Sequence, residues 1–292
     1  MKIALVINPG SGRRFQANQI SEIKSKVLID HDLTEFIAEN DSELDVVGNS
    51  IKEGYDLVVV CGGDGTVSRI ANCLLNKATP LLVIPIGSGN DFANHFGMQS
   101  DVDSLKRAIN DFRTKTINTI QINRESRNCL TIVCFAFEAK VNRVASRLPR
   151  FIGSAKYTIA TFIALLGKSY EKLKIDSDAV SEINSYSLGI IANTPSFGGG
   201  MKVSNKADAT GDNLYLILVN RVNKIKLIYL FLLLLAGKHY DRAEFRQYAA
   251  KNIKIESVES KVRAQADGDS LPSGDFEAKL NRNSLTILET NQ

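Results

Sequence analysis

Apolar positions in the first 120 residues follow two alternating rhythms. Residues 3–7 (IALVI), 57–61 (LVVVC) and 81–84 (LLVI) are unbroken apolar runs. Strands buried on both faces read this way. Between them, apolar residues return every three or four positions. Ile20, Ile23 and Val27 do so within 16–28, and similar spacing recurs in 44–51, 67–75 and 103–112. These stretches predict helices, and 33–37 predicts one more short strand. Alternating strand and helix implies a parallel sheet with right-handed crossovers. Such sheets bind ligands at the carboxyl ends of their strands.

After about residue 120 the rhythm changes. The runs at 129–136, 185–192, 214–219, 253–258, 261–266, 275–280 and 284–288 are short, often alternate, and are separated by turn residues. They predict an antiparallel sandwich or barrel. Helical spacing interrupts them at 155–166 and 225–236. No internal repeat or low-complexity linker marks the change.

Composition narrows the class. The 292 residues are 44% apolar and 23% charged, which fits a globular chain of one or two domains and excludes collagen-like, disordered and disulfide-scaffold proteins. Lys and Arg number 36 against 32 Asp and Glu, a net charge of +4. That balance favours anionic surfaces weakly and carries no signature of nucleic-acid binding. The four cysteines have no CxxC spacing and only three histidines accompany them. They read as small buried hydrophobes of a reducing compartment rather than a zinc set. The longest apolar run, 227–236, is half the roughly 20 residues that a membrane-spanning helix needs. The run at 3–7 meets Asn8-Pro9-Gly10 too early for a signal peptide.

Three predicted strands end in glycine and small polar residues. The 57–61 run leads directly into Gly62-Gly63-Asp64-Gly65-Thr66 and then a helix. Glycines there let backbone N–H groups approach a phosphate, and the helix N-terminus adds its dipole. Thr66 can cap the helix or donate to a phosphate oxygen. Asp64 would repel phosphates unless a cation lay between, so it suggests a magnesium bridge. The plain alternative is a tight strand–helix turn with a capping aspartate. The first strand ends in Asn8-Pro9-Gly10-Ser11-Gly12, and the 81–84 strand leads to Gly87-Ser88-Gly89-Asn90-Asp91. Three such loops on one rim predict a shared nucleotide or phosphate site. The Walker pattern GxxxxGK[ST] is absent, and GxGxxG does not follow the first strand.

The trio NPGSG (8–12), GGDGT (62–66) and PIGSGNDFA (85–93) resembles the diacylglycerol kinase catalytic family, and within it the small bacterial lipid kinases. Sphingosine and ceramide kinases are relatives. The resemblance covers nearly the whole chain, through RFIGSAKY (150–157), Ala192-Asn193, Gly198-Gly199-Gly200-Met201, Gly237-Lys238-His239 and Asp267-Gly268-Asp269. GGDGT alone is shared with NAD kinases and phosphofructokinases. The resemblance implies two domains. An N-terminal α/β three-layer nucleotide-binding domain with a parallel sheet would span 1–121. A C-terminal β-rich sandwich domain for the lipid substrate would span 122–292, and its last strand could pack back on the first domain. The active site would lie in the cleft between them. By the same resemblance, Asn8, Pro9, Gly10, Ser11, Gly12, Gly62, Gly63, Asp64, Gly65, Thr66, Ser88, Asn90 and Asp91 would hold ATP. Asp64 and Asp91 would work through magnesium, and Asn90 would pin its loop. Asp269 or Asp267 would be the general base. Phosphoryl transfer needs such positioning, charge neutralisation and a base for the hydroxyl. Asp267-Gly268 is also a favoured hairpin pair, which leaves a purely structural turn open.

Four departures from the family stand out. Asp269 occupies the place of a usual Glu, one methylene shorter. Ser88 replaces a Thr and keeps the hydroxyl. Ala38 aligns where a Thr often lines the ATP site. The structural-magnesium loop of Gram-positive members falls on 208–214, where Asp212, the Leu214 carbonyl and a displaced Asp208 are the candidate ligands. Phe137-Glu138-Ala139 also replaces a Gly-x-Asp-Ala stretch. The expected function is ATP- and magnesium-dependent transfer of the γ-phosphoryl group to a lipid hydroxyl, with diacylglycerol the first candidate and phosphatidic acid the product. An NAD-kinase-like phosphotransferase and a non-catalytic nucleotide- or lipid-binding regulator are the alternatives. The expected setting is cytoplasmic, peripheral to the inner face of the membrane, with no nucleic-acid partner; two copies could pair. The apolar 227–236 helix and the mixed basic and apolar stretch 143–156 are the candidate membrane contacts.

Overall fold

The unbroken apolar runs become the middle of a parallel sheet. A computed structural model describes residues 1–11, 17–123, 125, 127–136, 170–259 and 261–290. Gly12, Glu138, the helix expected over 155–166 and the basic stretch 143–156 lie outside the described residues. The chain divides into two compact units, one of Met1–Asn118 with Arg282–Gln292, the other of Thr119–Asn281.

In the first unit, β1 (Lys2–Ile7), β2 (Asp32–Ile37), β3 (Leu57–Gly62) and β4 (Leu81–Pro85) are parallel neighbours, and the end of β16 (Phe276–Leu288) adds to them in the order β16-β4-β3-β1-β2. Helices α1 (Ala17–Lys26), α2 (Asp41–Ser50), α3 (Asp64–Cys73), α4 (Asp91–His95) and α5 (Val102–Asp111) connect them. Alternate strand residues Ile3, Leu5, Leu57, Val59, Leu82 and Ile84 form one core with Ile20 and Ile23 of α1 and Leu105 and Ile109 of α5. The intervening Ala4, Val6, Val58, Val60 and Val83 point to the opposite face and are equally buried. α2 and α3 approach closely, since a Cβ on Gly48 would fall 2.3 Å from Cys73 Sγ. Register fixes the functional edge. Ile7 lies opposite Cys61, and Gly62 lies opposite Pro85. The loops after β1, β3 and β4 therefore leave the sheet side by side.

The second unit is antiparallel. Its strands include β6 (Ile132–Phe135), β7 (Glu171–Ser177), the long β8 (Ser181–Ala192), β11 (Leu214–Asn220), β12 (Phe245–Ala250) and β13 (Asn252–Ser257). A small hairpin, β9 (Ser196–Phe197) with β10 (Met201–Lys202), and the pair β14 (Ala264–Ala266) and β15 (Asp269–Ser270) complete it. β11 buries both faces. Leu214, Leu216 and Leu218 join one core, while Ile217 and Val219 join a second core with Leu230 and Leu234 of α6 (Lys224–Leu235).

Several expectations change, and β7, β12 and the β9–β10 hairpin lie where the sequence pattern predicts no strand. The strands expected at 275–280 and 284–288 are one strand, β16. Its polar centre, Asn281-Arg282-Asn283, is where the chain passes from the second unit to the first, and Asn283 takes a left-handed φ of 47° there. β5 (Thr114–Ile122), absent from the sequence expectation, makes the other passage at Asn118–Thr119. The unit boundary therefore falls inside a strand.

Candidate active site

The rim of the first unit is built by glycines that let three loops touch. A Cβ on Gly87 would sit 2.5 Å from Gly63 Cα, and one on Gly63 would sit 3.4 Å from the Ser11 carbonyl oxygen. The β1 loop is tied to α3 by side chains. Asn8 Nδ2 donates to Thr66 Oγ1 at 2.9 Å, Ser11 Oγ lies 2.8 Å from the same hydroxyl, and Asn8 Oδ1 accepts from the Gly10 amide at 2.9 Å. Pro9 starts the single 3-10 turn that carries Gly10 and Ser11. Thr66 is buried, in the first turn of α3 rather than at its cap. Its hydroxyl serves the loop, so the capping role open in the sequence does not arise.

The N-cap of α3 is Gly63, which has no side chain to accept from the first-turn N–H groups. Those donors are the ones a helix usually satisfies with Ser, Asp or an anion. Gly65 follows in the first turn. A Cβ there would meet nothing within 4 Å, and no positive φ requires glycine. Neither packing nor backbone conformation demands glycine there.

Asn90 pins the third loop from both sides. Its Oδ1 accepts from the Gly87 amide and its Nδ2 donates to the Gly87 carbonyl, both at 2.9 Å, while its own backbone is left-handed at φ 54°. Asp64 closes the loop from below, accepting from the Asn90 amide at 2.7 Å and the Phe92 amide at 3.4 Å. Ser88 is exposed at the tip. Asp64 and the buried Asp91 flank Gly89, whose Cβ would lie 2.8 Å from one carboxylate and 3.5 Å from the other. Burial first, and the Asp91 carboxylate second, push the Asp64 carboxyl up to about 6 despite its backbone donors. A carboxylate held at that cost beside a second one suits a cation, so the pair fits magnesium and the glycine rim fits a polyphosphate.

The acidic hairpin belongs to the second unit. Ala266 pairs with Asp269, so Asp267 and Gly268 are the two loop residues. Both have positive φ, 49° and 89°, as a type I′ turn requires. The two aspartates differ sharply. The Asp267 carboxylate accepts from the Leu130 amide at 2.7 Å, the Thr131 amide at 2.8 Å and the Thr131 hydroxyl at 2.6 Å. The Cys129 thiol lies 3.2 Å from it, and burial together with that carboxylate holds the thiol well above its ordinary pKa. Asp269 is exposed and 3.6 Å from Arg127 Nη2. The sequence does not single out Arg127, and it reads 129–131 as the start of a strand over 129–136, whereas β6 begins at Ile132. Nothing local in the sequence signals partners some 136 positions away from Asp267.

In the 208–214 loop, Asp208 Oδ1 accepts from the Thr210 amide and hydroxyl at 2.9 and 2.8 Å, and Leu214 is buried at the start of β11. Asp212 is exposed in that loop. Among the described residues no three His, Cys, Asp or Glu side chains gather as a metal set.

A parallel α/β unit with a glycine rim, joined to an antiparallel β sandwich, defines a kinase-type phosphotransferase fold. Residues 2–122 match the diacylglycerol kinase catalytic domain, and residues 131–289 match the YegS C-terminal NAD kinase beta sandwich-like domain. The chain belongs to this diacylglycerol kinase-like family. It is 29% identical over 225 residues to a diacylglycerol kinase of Mycobacterium tuberculosis, covering 75% of this chain and 72% of that one. A diacylglycerol kinase of Staphylococcus haemolyticus is 23% identical over 91% of this chain and 81% of its own length. Among solved structures, a diacylglycerol kinase from Bacillus anthracis superposes with a TM-score of 0.74 at 18% identity, covering 99% and 96% of the two chains. An NAD kinase from Archaeoglobus fulgidus in complex with ATP superposes at 0.57 with 14% identity, covering 100% and 94%.

Proposed function

We propose that this protein transfers the γ-phosphoryl group of ATP to a lipid hydroxyl at a membrane surface, with diacylglycerol as the acceptor and phosphatidic acid as the product. The observation that carries the proposal is the rim of the first unit: three loops in contact, an uncapped helix N-terminus, a bare Gly65 and two carboxylates around Gly89. The names of the curated relatives support the lipid acceptor. Asn8, Pro9, Gly10, Ser11 and the residues from Gly62 to Thr66 would cradle the phosphates, with Ser88 donating from its exposed tip. Asn90 would keep that loop in shape. Asp64 and Asp91 would hold magnesium, which neutralises charge on phosphate oxygens when bound. Asp269 is assigned the proton of the acceptor hydroxyl, because the Asp267 carboxylate already serves the 129–131 turn.

The test is transfer of label from γ-labelled ATP with magnesium to a panel of lipids in mixed micelles, with soluble NAD in a parallel tube. Labelled phosphatidic acid is expected. Asp269→Ala is expected to lower turnover at least about 100-fold, the scale of losing a proton-transfer group. Label in NAD alone would replace this reading by the one that the NAD kinase fold likeness raises. Nucleotide binding without label in any acceptor would make the protein a non-catalytic binder.

A further inference from the structure

Helix α6 is apolar nearly all the way round, from Ile225 through Leu235. A helix of that composition is expected to be covered on every side. This one is covered on one side only. Leu227, Leu230 and Leu234 are buried, and the last two join the core with Ile217, Val219 and Phe245. On the other side Ile225 is 83% exposed, Tyr229 48%, Leu232 49% and Leu235 38%. At 3.6 residues per turn these four fall within an arc of about 120°. They are four of the ten large hydrophobics most exposed in the described residues, concentrated on one helix.

Cations surround the stripe. Lys224 stands at its start and Lys238 just past its end. The β9–β10 hairpin brings Lys202 there too, its Cδ 3.9 Å from where a Cβ on Gly237 would lie. Arg242 Nη2 donates to the Tyr229 hydroxyl at 3.3 Å, which carries a guanidinium to the edge of the apolar face. Lys226 pairs with Glu244 at 2.8 Å. Residues 221–244 hold five Lys or Arg against two acids, a surplus of three in a chain whose whole net charge is +4.

We infer that the outer face of α6 rests on an anionic lipid bilayer, with Ile225, Tyr229, Leu232 and Leu235 entering the headgroup boundary and Lys202, Lys224, Lys238 and Arg242 meeting lipid phosphates. Its 12 residues are about 18 Å long, short of the roughly 30 Å hydrocarbon core, so the helix lies on the membrane and does not cross it. The inference deepens the lipid-kinase proposal and rests on it for the choice of a membrane over another apolar partner. Neither a neutral bilayer nor a second copy of this cationic face would answer the surplus charge.

The test is co-sedimentation of the full chain with phosphatidylcholine vesicles, with and without phosphatidylglycerol, in the absence of ATP. The protein is expected to sediment with the anionic vesicles and at least about 10-fold less with the neutral ones, and raised salt should release it. The double variant Ile225→Asp, Leu232→Asp should lose anionic-vesicle binding at least about 10-fold. Both positions are exposed, so its melting temperature should match the parent; Lys238→Glu supplies a second, milder variant with a smaller loss in the same direction. On a short-chain diacylglycerol below its micelle concentration the double variant should turn over as the parent does. Undiminished vesicle binding by the double variant would overturn the inference. So would a parent of twice the chain mass that the double variant halves, which would give the face to a second copy. Vesicle binding through α6 with no lipid ever labelled would uphold this surface and refute the kinase proposal, so the two fail separately.

Discussion

At Gly65 the fold leaves a helix position bare for no internal reason. Alanine there should raise helix stability by about 0.5–1 kcal/mol, because glycine is costly in a helix. Under the proposed function the added methyl group would occupy space that a phosphate needs. Calorimetric titration of Gly65→Ala with ATP is therefore expected to show at least about a 10-fold weaker affinity in a protein that melts no lower than the parent. Unchanged affinity would move the phosphates off the α3 N-terminus. Asp64 makes a similar trade in another way. Its carboxyl rises from an ordinary 3.8 to about 6 in the folded protein. The folded state thus holds that proton more tightly than the unfolded chain does, and the stabilisation is complete below about pH 4 and lost as pH rises through about 6. Asp64→Asn is neutral at every pH. It should melt with the parent near pH 4 and above it at pH 8, by no more than about 3 kcal/mol, while turnover falls at least about 100-fold. Scanning calorimetry across that range reads the first effect, and the labelled-phosphate assay reads the second.

At the scale of elements, the β14–β15 hairpin joins a residue tied to the 129–131 segment to an exposed one beside Arg127. Asp267→Asn keeps one acceptor of the carboxylate and loses the other, leaving an amide or hydroxyl of the 129–131 turn without its partner. The expected cost is about 1–3 kcal/mol of stability, read as a lower denaturant midpoint, with turnover per folded molecule falling much less than in Asp269→Ala. A collapse of turnover in stable Asp267→Asn would return the base to Asp267. The sequence made the sheet edge legible because its signals are local. An unbroken strand, a glycine turn and a helix follow one another from Leu57 to Cys73, and the carboxyl ends of β1, β3 and β4 meet by the ordinary geometry of a parallel sheet. The same physics hid α4, which is too short to show a period, and β5, whose first three residues are exposed and polar. It also hid the difference between Asp267 and Asp269. Both stand in one three-residue acidic motif, and only contacts reaching back to Leu130 and Thr131 separate them. Sequence alone offered the apolar 227–236 run as a membrane contact, since composition cannot say which face of a helix is covered. In α6, Leu227, Leu230 and Leu234 are buried while Ile225, Tyr229, Leu232 and Leu235 are exposed.

For the whole molecule, the first unit is assembled from two distant pieces of chain. The closing half of β16 supplies Leu285, Ile287 and Leu288, all buried, and Ile287 pairs with Leu81 of β4. It also ties down loops, since the Asn76 amide donates to the Ser284 carbonyl at 2.7 Å and the Thr290 hydroxyl to the Gly97 carbonyl at 3.0 Å. A stop after Asn281 removes no residue of the glycine rim, yet each lost apolar side chain is worth about 1.5–3 kcal/mol. Together these approach the whole margin of a typical domain. The shortened chain is expected to lose ATP binding and to be cut by protease within residues 1–118, and full affinity in that chain would show the strand to be dispensable. The same nesting sets an order of manufacture. Residues 119–281 can close on themselves as soon as they leave the ribosome, whereas the strand that completes the first unit emerges after them, on the order of 10–30 s after Asn118 at usual elongation rates. Through that interval β4 waits as an open apolar edge, a surface on which nascent chains stick to one another or are held by chaperones. The newborn protein would thus complete its sandwich before the unit that carries its glycine rim.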